Sequence, residues 1–175
     1  MTYKIMDFPM ASELNDKLYS IVENNLEGGV YGGARRTDFN LHRKGIGCIN
    51  DLISWIHNIF PRACYKFANQ YDDEEYEEET LGYEINQFFL SSCWGVMYNK
   101  GEGVVMHNHF PFAVSFAYYV KFPDNSSPFI LEGEKIDLKE GQLIMFMGHQ
   151  YHEVCPSENK VDGRCVISGN ISYRG

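Results

Sequence analysis

The chain lacks the features that define several large protein classes. No apolar run reaches the ~18 residues that a membrane-spanning helix needs. The opening residues, from Met1 to Met10, contain no basic segment followed by an apolar core, so no secretory signal is expected. Cysteine is sparse and shows no pairing pattern. Cys48, Cys64, Cys93, Cys155 and Cys165 make an odd set of five, with no CxxC among them. That excludes a disulfide framework and favours a reducing, cytoplasmic setting. Cys155 and Cys165 flank a hairpin-like segment and are the one pair worth considering for a bridge. Positive charge is also in deficit. Fifteen Lys and Arg face 24 Asp and Glu, a formal charge of −9 and a pI near 5.1. Such a balance repels phosphate backbones and makes nucleic acid a poor default partner.

Apolar residues are present in ordinary measure. They make up 44% of the 175 residues, with 15% aromatic, enough for one globular core and too little for two. Much of the acid sits in one run, Asp72-Asp73-Glu74-Glu75-Tyr76-Glu77-Glu78-Glu79. It reads as a solvated loop or lid, or as a docking site for a basic substrate.

The first third reads as helical. Ser12 is a candidate N-cap for a stripe of Leu14, Leu18, Ile21 and Val22 that fades at Gly28-Gly29. Asn50 or Asp51 is a candidate cap for a second stripe, Leu52, Ile53, Trp55, Ile56, Ile59 and Phe60, which Pro61 ends or extends by a turn. Residues 28–47 show no clear period and read as loop with one strand at most. From about Tyr83 the texture becomes β-favouring. The first β-favouring residues are Ile85, Phe88, Phe89, Trp94, Val96 and Met97, and further strands are expected over 114–122, 128–131, 142–147 and 165–172. Turns are expected at Asn99-Lys100-Gly101, Pro123-Asp124-Asn125, Lys139-Glu140-Gly141 and Val161-Asp162-Gly163. Many short strands at this spacing point to a sandwich or barrel. The expected organisation is one domain over 1–175. Residues 1–80 form a helical support with the acidic loop, and 83–175 form the β-core.

Four of the six histidines, His107, His109, His149 and His152, lie in the β-region. His107 and His109 are two apart, which on a strand puts both rings on one face. A third ligand from a distant strand, His152, would complete a metal site of the kind barrels build. An isolated HxH pair is common and often carries no metal. Arg164, twelve residues after His152, opens the last expected strand. Buried alone in a small barrel it would need an anionic partner, and a dicarboxylate held by the guanidinium fork supplies one.

Taken together these segments resemble the 2-oxoglutarate/Fe(II) oxygenase superfamily. The resemblance is strongest to short oxygenases known from marine phages and bacteria. The matching segments are His107-Asn108-His109, then Ser115-Phe116-Ala117-Tyr118-Tyr119-Val120, then Gly141 to Phe146 leading to His152, and last Gly163-Arg164 to Ile171. They keep order and spacing over about 80 residues. Tyr98, with Gly101 and Gly103 before His107, is similar to the arrangement in prolyl 4-hydroxylases, and reads equally as an ordinary barrel aromatic. The resemblance implies a mainly β protein with N-terminal helices and a double-stranded β-helix (jelly-roll, cupin-like) core. It implies Fe(II) on His107, His109 and His152, and 2-oxoglutarate held by Arg164 with Tyr98. Dioxygen is the co-reactant, ascorbate the reductant, and succinate and CO2 the products. The substrate would be a peptidyl proline, another amino-acid group, or a small molecule.

Two departures from the family pattern matter. Most members carry a carboxylate where this chain has His109. His109 is then a third neutral ligand, or is turned aside, or the site does not hold iron productively; the first reading is preferred because the resembling short oxygenases share HxH. Val166 replaces the serine expected two residues after the arginine, so Arg164 needs help from Tyr98 or Tyr118. Phe110, Phe112, Phe116 and Tyr118 are candidate pocket walls, and His149 is a candidate rim residue. Two other readings stay open. One is a three-histidine cupin-type dioxygenase that does not use 2-oxoglutarate. The other is a non-catalytic β-barrel that keeps these residues for packing.

Overall fold

A computed structural model describes residues 2–69 and 87–174, with only the backbone described over 61–69. The acidic run lies outside these residues. Two β-sheets face each other, and two helices cover the back of the larger one. The large sheet holds β1 (Tyr3–Asp7), β2 (Gly28–Gly29), β3 (Arg35–Arg36), β4 (Phe88–Tyr98), β6 (Val114–Lys121), β9 (Gln142–Met147) and β11 (Arg164–Tyr173). Their order is β1-β9-β6-β11-β4-β3-β2. The small sheet holds β5 (Val104–His107), β10 (His152–Val154), β7 (Phe129–Leu131) and β8 (Glu134–Ile136), in that order. All pairings between these strands are antiparallel.

Alternation along the central strands divides the core in two. On β6, Val114, Phe116, Tyr118 and Val120 face the helices, and Ala117 and Tyr119 face the small sheet. On β4, Cys93 and Met97 face the helices, and Trp94, Val96 and Tyr98 face inward. The middle of the large sheet is therefore apolar on both sides, and period-2 patterning is muted there. Helix α1 (Ala11–Asn24) buries Leu14, Leu18 and Val22 on this sheet. Each fully buried side chain of this kind contributes roughly 1.5–3 kcal/mol. Helix α2 (Gly47–Asn69) adds Leu52, Ile53, Ile56 and Phe60. Gly95 allows α1 to approach: a Cβ there would lie 2.4 Å from Val22 Cγ2.

The β-core, the turns and the strand over 142–147 follow the sequence expectation. Gly101, Gly141, Gly163 and Asn125 all adopt the positive φ that those turns require. Several local expectations are corrected. Ser12 lies inside the first turn of α1, whose N-cap is Met10 without a side-chain bond. The helix ends at Asn24, and Gly28-Gly29 is instead a short strand paired with Arg35-Arg36. Helix α2 begins at Gly47, ahead of both candidate caps, and runs through Pro61. Cys155 and Cys165 are both free thiols. Strands β1, β8 and β10, of three to five residues each, are additional to the strands expected from the sequence.

The α1 contact yields a stability prediction. Gly95→Ala should cost about 1–3 kcal/mol by overpacking. Val22→Ala in the same chain should recover part of that loss, because it vacates the space the new methyl needs. Urea denaturation of the four-variant cycle measures the coupling, and strictly additive losses would contradict this packing.

Candidate metal centre

Three imidazoles converge between the two sheets. His107 ends β5 and His152 begins β10, and the two are directly opposed in the antiparallel ladder. Opposed residues share a face with Cβ atoms about 5 Å apart, and the ring centroids are 4.3 Å apart. His109 stands just beyond β5, in the loop that follows. Its backbone N–H donates to Gly148 O at 2.7 Å, which ties that loop to the β9–β10 connection. Gly148 tolerates no side chain, since a Cβ would lie 2.0 Å from Phe112 O. The His109 ring is 5.0 Å from each of the other two. One ligating nitrogen from each of the three lies within 4.8 Å of the others. The approach of β5 to β10 also depends on Gly103, where a Cβ would meet Val154 O at 2.1 Å.

The protonation pattern suits a cation. His107 Nδ1 is 2.8 Å from Val105 O, and His152 Nδ1 is 3.1 Å from Gln150 O. A carbonyl only accepts, so each Nδ1 carries a proton and leaves Nε2 as the ring nitrogen available to a metal. Burial, with His107 nearby, lowers the His109 pKa to about 4. Burial also lowers His152 to about 3, helped by His107 and His109 and opposed by the Gln150 carbonyl. Both rings are neutral at physiological pH. Neutral imidazole donors suit a divalent transition ion such as iron or zinc.

Arg164 opens β11, paired with Tyr98, and is 1% exposed. Its Nη2 donates to Tyr119 Oη at 3.1 Å, while Nε and Nη1 are buried with no partner. The guanidinium carbon sits 4.6 Å from the Tyr98 ring centre and 5.3 Å from that of Phe122. Burial raises the Tyr98 pKa to about 12 against the pull of Arg164, and burial raises Tyr119 as well. Both phenols are therefore uncharged, and among the described residues no carboxylate lies within ion-pair distance of Arg164. Among the described residues this permanent cation is buried without a counter-charge, which costs several kcal/mol unless an anion enters.

One cavity of about 630 Å3 joins these groups and includes His107, His109, His152, Tyr98, Tyr119 and Arg164 in its wall. The five residues singled out from sequence are thus brought together. Of the two helpers expected for Arg164, Tyr98 lies against the guanidinium, and the hydroxyl that accepts from it is that of Tyr119 rather than Tyr118. Tyr118 points to the helices, where its hydroxyl donates to Asn15 Oδ1. Of the expected aromatic walls, Phe112 lines the cavity and Phe116 borders it with its side chain packed on the helix side of β6, while Phe110 is 77% exposed. His149 is exposed. Trp94 was not singled out, yet it lines the cavity with its ring 5.7 Å from that of His109.

The pKa shifts set a pH dependence for the metal-free protein. In the unfolded chain both histidines titrate near 6.5, and in the folded one near 4 and 3. Between those values the unfolded chain binds more protons. The contribution to stability is therefore intact above pH 6.5 and is lost progressively as pH falls toward the folded values. Melting temperatures across pH 7 to 4 should drop more steeply for wild type than for the His109→Asn, His152→Asn double variant. Parallel profiles would contradict the shifts.

No protein-family profile matches the chain, and no curated protein matches it. Solved structures do. A Pseudomonas putida prolyl-4-hydroxylase aligns with 98% of this chain and 92% of its own, at TM-score 0.66 and 15% identity. A viral collagen prolyl hydroxylase from Paramecium bursaria Chlorella virus-1, in complex with 2-oxoglutarate, aligns with 100% and 97%, at TM-score 0.68 and 14% identity. SnoN, a non-haem α-ketoglutarate-dependent epimerase from nogalamycin biosynthesis, aligns with 99% and 80%, at 0.64 and 9%. The sheet order, the helices behind the large sheet and these alignments agree: the chain has the double-stranded β-helix fold of the 2-oxoglutarate–Fe(II) oxygenases.

Proposed function

We propose that this chain is an Fe(II)/2-oxoglutarate-dependent oxygenase, with His107, His109 and His152 as metal ligands and Arg164 as the clamp for the distal carboxylate of 2-oxoglutarate. The observation that carries this reading is Arg164: a buried guanidinium with two orphaned N–H groups, in the same cavity as three converging imidazoles. When bound, iron and 2-oxoglutarate supply the oxidising chemistry, consuming dioxygen, releasing succinate and CO2, and inserting oxygen into a substrate C–H bond. Ascorbate is the reductant assigned to keep the metal ferrous.

The chain's own residues bind, orient and exclude water. Arg164 offers Nε and Nη1 as a fork to one carboxylate. Tyr119 Oη accepts from Arg164 Nη2, so its own proton is free to donate to that carboxylate. This hydroxyl takes the place of the serine that Val166 replaces. Tyr98 and Phe122 hold the guanidinium plane by stacking. Val96, Ala117 and Val166 line the cavity with apolar surface and keep it dry. The backbone carbonyls of Val105 and Gln150 fix the metal-facing nitrogens of His107 and His152. The range of substrates includes the peptidyl proline that the prolyl hydroxylase neighbours suggest, other amino-acid groups and small acids.

The presence of His109 in place of a carboxylate favours one second reading, a three-histidine metal dioxygenase without 2-oxoglutarate. Calorimetry on anaerobic, Mn(II)-loaded protein separates the two. A charge-assisted bond to a buried carboxylate contributes roughly 2–4 kcal/mol. Arg164→Ala should therefore weaken 2-oxoglutarate by about 30- to 1,000-fold and leave Mn(II) affinity nearly unchanged. Wild type that binds Mn(II) but no 2-oxoglutarate would select the second reading.

The ligand set has its own test. His107→Ala and His152→Ala should abolish Mn(II) binding, and His109→Ala should weaken it nearly as severely. His109→Asp, which creates a two-histidine, one-carboxylate set, should retain binding. Mn(II) affinity in His109→Ala equal to wild type would remove His109 from the site.

A further inference from the structure

Arg164 and the three histidines occupy only part of the cavity wall. On the side of β4 away from β11, the wall is formed by Arg36, Phe39 and Trp94. Arg36 on β3 is the direct partner of Val96 on β4. Opposed residues share a face, and Val96 faces the cavity, so Arg36 does too. Phe39 stacks edge-on against Trp94 at 5.2 Å, and the Arg36 guanidinium lies over Phe39 at 4.2 Å. On its other side the guanidinium rests on Gly28, where a Cβ would meet Cζ at 3.4 Å.

Arg36 is placed and largely unspent. Of its five N–H donors, Nη1 is used by Thr37 O at 2.9 Å. Among the described residues no carboxylate lies within ion-pair distance. The nearest acidic neighbour in sequence, Asp38, is ion-paired to Lys44 Nζ at 2.6 Å and accepts from the Asn40 N–H, and it feels the Arg36 charge only from beyond ion-pair distance. Glu153 is the acidic residue in the cavity wall, and it sits between inward-facing His152 and Val154 on a strand where alternate side chains point to opposite faces. Two hydroxyls stand farther along the cavity wall on β11 and β4, two and four residues from the level of Arg36. Ser92 Oγ accepts from Asn170 Nδ2 at 3.1 Å, which leaves its proton free, and Ser168 also lines the cavity.

We propose that Arg36 is a second anion subsite that binds a carboxylate on the substrate, so that the enzyme acts on a small carboxylic acid whose apolar body rests on Trp94. The inference rests on the oxygenase reading for the reaction and on Arg36 for the substrate class. Arg36 and Arg164 are separated by two strand spacings and two residues of rise, about 12 Å between Cα atoms. One C5 dicarboxylate held at Arg164 therefore leaves Arg36 open. Trp94 lies beside His109, so a body resting on it is adjacent to the metal ligands.

The test uses Mn(II)-loaded, anaerobic protein saturated with 2-oxoglutarate. It is titrated with N-acetyl-leucine and N-acetyl-phenylalanine, and with the carboxamide of each. The acids should bind at least about tenfold more tightly than their amides. Arg36→Met should erase that preference, and Arg36→Lys should keep part of it because the charge remains. Equal binding of acid and amide, no binding of either, or an undiminished preference in Arg36→Met would overturn the inference. The same titrations on Arg164→Met read Arg36 independently of 2-oxoglutarate. If the acid preference persists there while wild type fails to bind 2-oxoglutarate, the oxygenase reading falls and the Arg36 subsite stands. If wild type binds 2-oxoglutarate and the preference is absent, the subsite falls alone.

Discussion

A permanent cation buried to 1% exposure, with two N–H groups unmet, sets the demand to which the rest of the barrel answers. Two uncharged tyrosines flank Arg164 and stack on it, and neither neutralises it. A folded chain keeps such a group only where something negative completes it, because the desolvation cost is otherwise unrecovered. The site that completes it is shared with three imidazoles, two of which, His109 and His152, are held neutral by the same burial. An anionic co-substrate and a divalent cation would satisfy complementary needs of one cavity.

The two-sheet architecture makes this possible. His152 and His107 meet because β10 and β5 pair directly, and that pairing depends on Gly103, where the strands approach too closely for a side chain. Arg164 reaches the same space from the opposite sheet, whose inner face carries Tyr98, Val96 and Trp94 in alternation. The helices take no part in the site. Their role is to cover the outer face of the large sheet, and Gly95 permits α1 to do so at close range.

Much of this was legible in the sequence, and the exceptions have physical causes. His107, His109, His152 and Arg164 stood out because few side chains of their kind occur in an apolar β-region. The turns were legible because Gly101, Gly141 and Gly163 need positive φ. The choice of Tyr118 over Tyr119 failed because β6 is buried on both faces. Alternation there does not say which face is inward. His109 was expected to share a strand with His107, whereas β5 stops at His107 and a hydrogen bond to Gly148 sets the next ring. Trp94 and Arg36 were not singled out for chemistry because their roles depend on strand pairing between segments nearly sixty residues apart.

The most direct measurement is a crystal structure of the protein grown anaerobically with Mn(II) and 2-oxoglutarate. The metal should sit on one nitrogen from each of His107, His109 and His152, and the distal carboxylate should lie on Arg164 Nε and Nη1 beside Tyr119. Metal bound elsewhere, or 2-oxoglutarate bound away from Arg164 with Nε and Nη1 still unpartnered, would contradict the assignment.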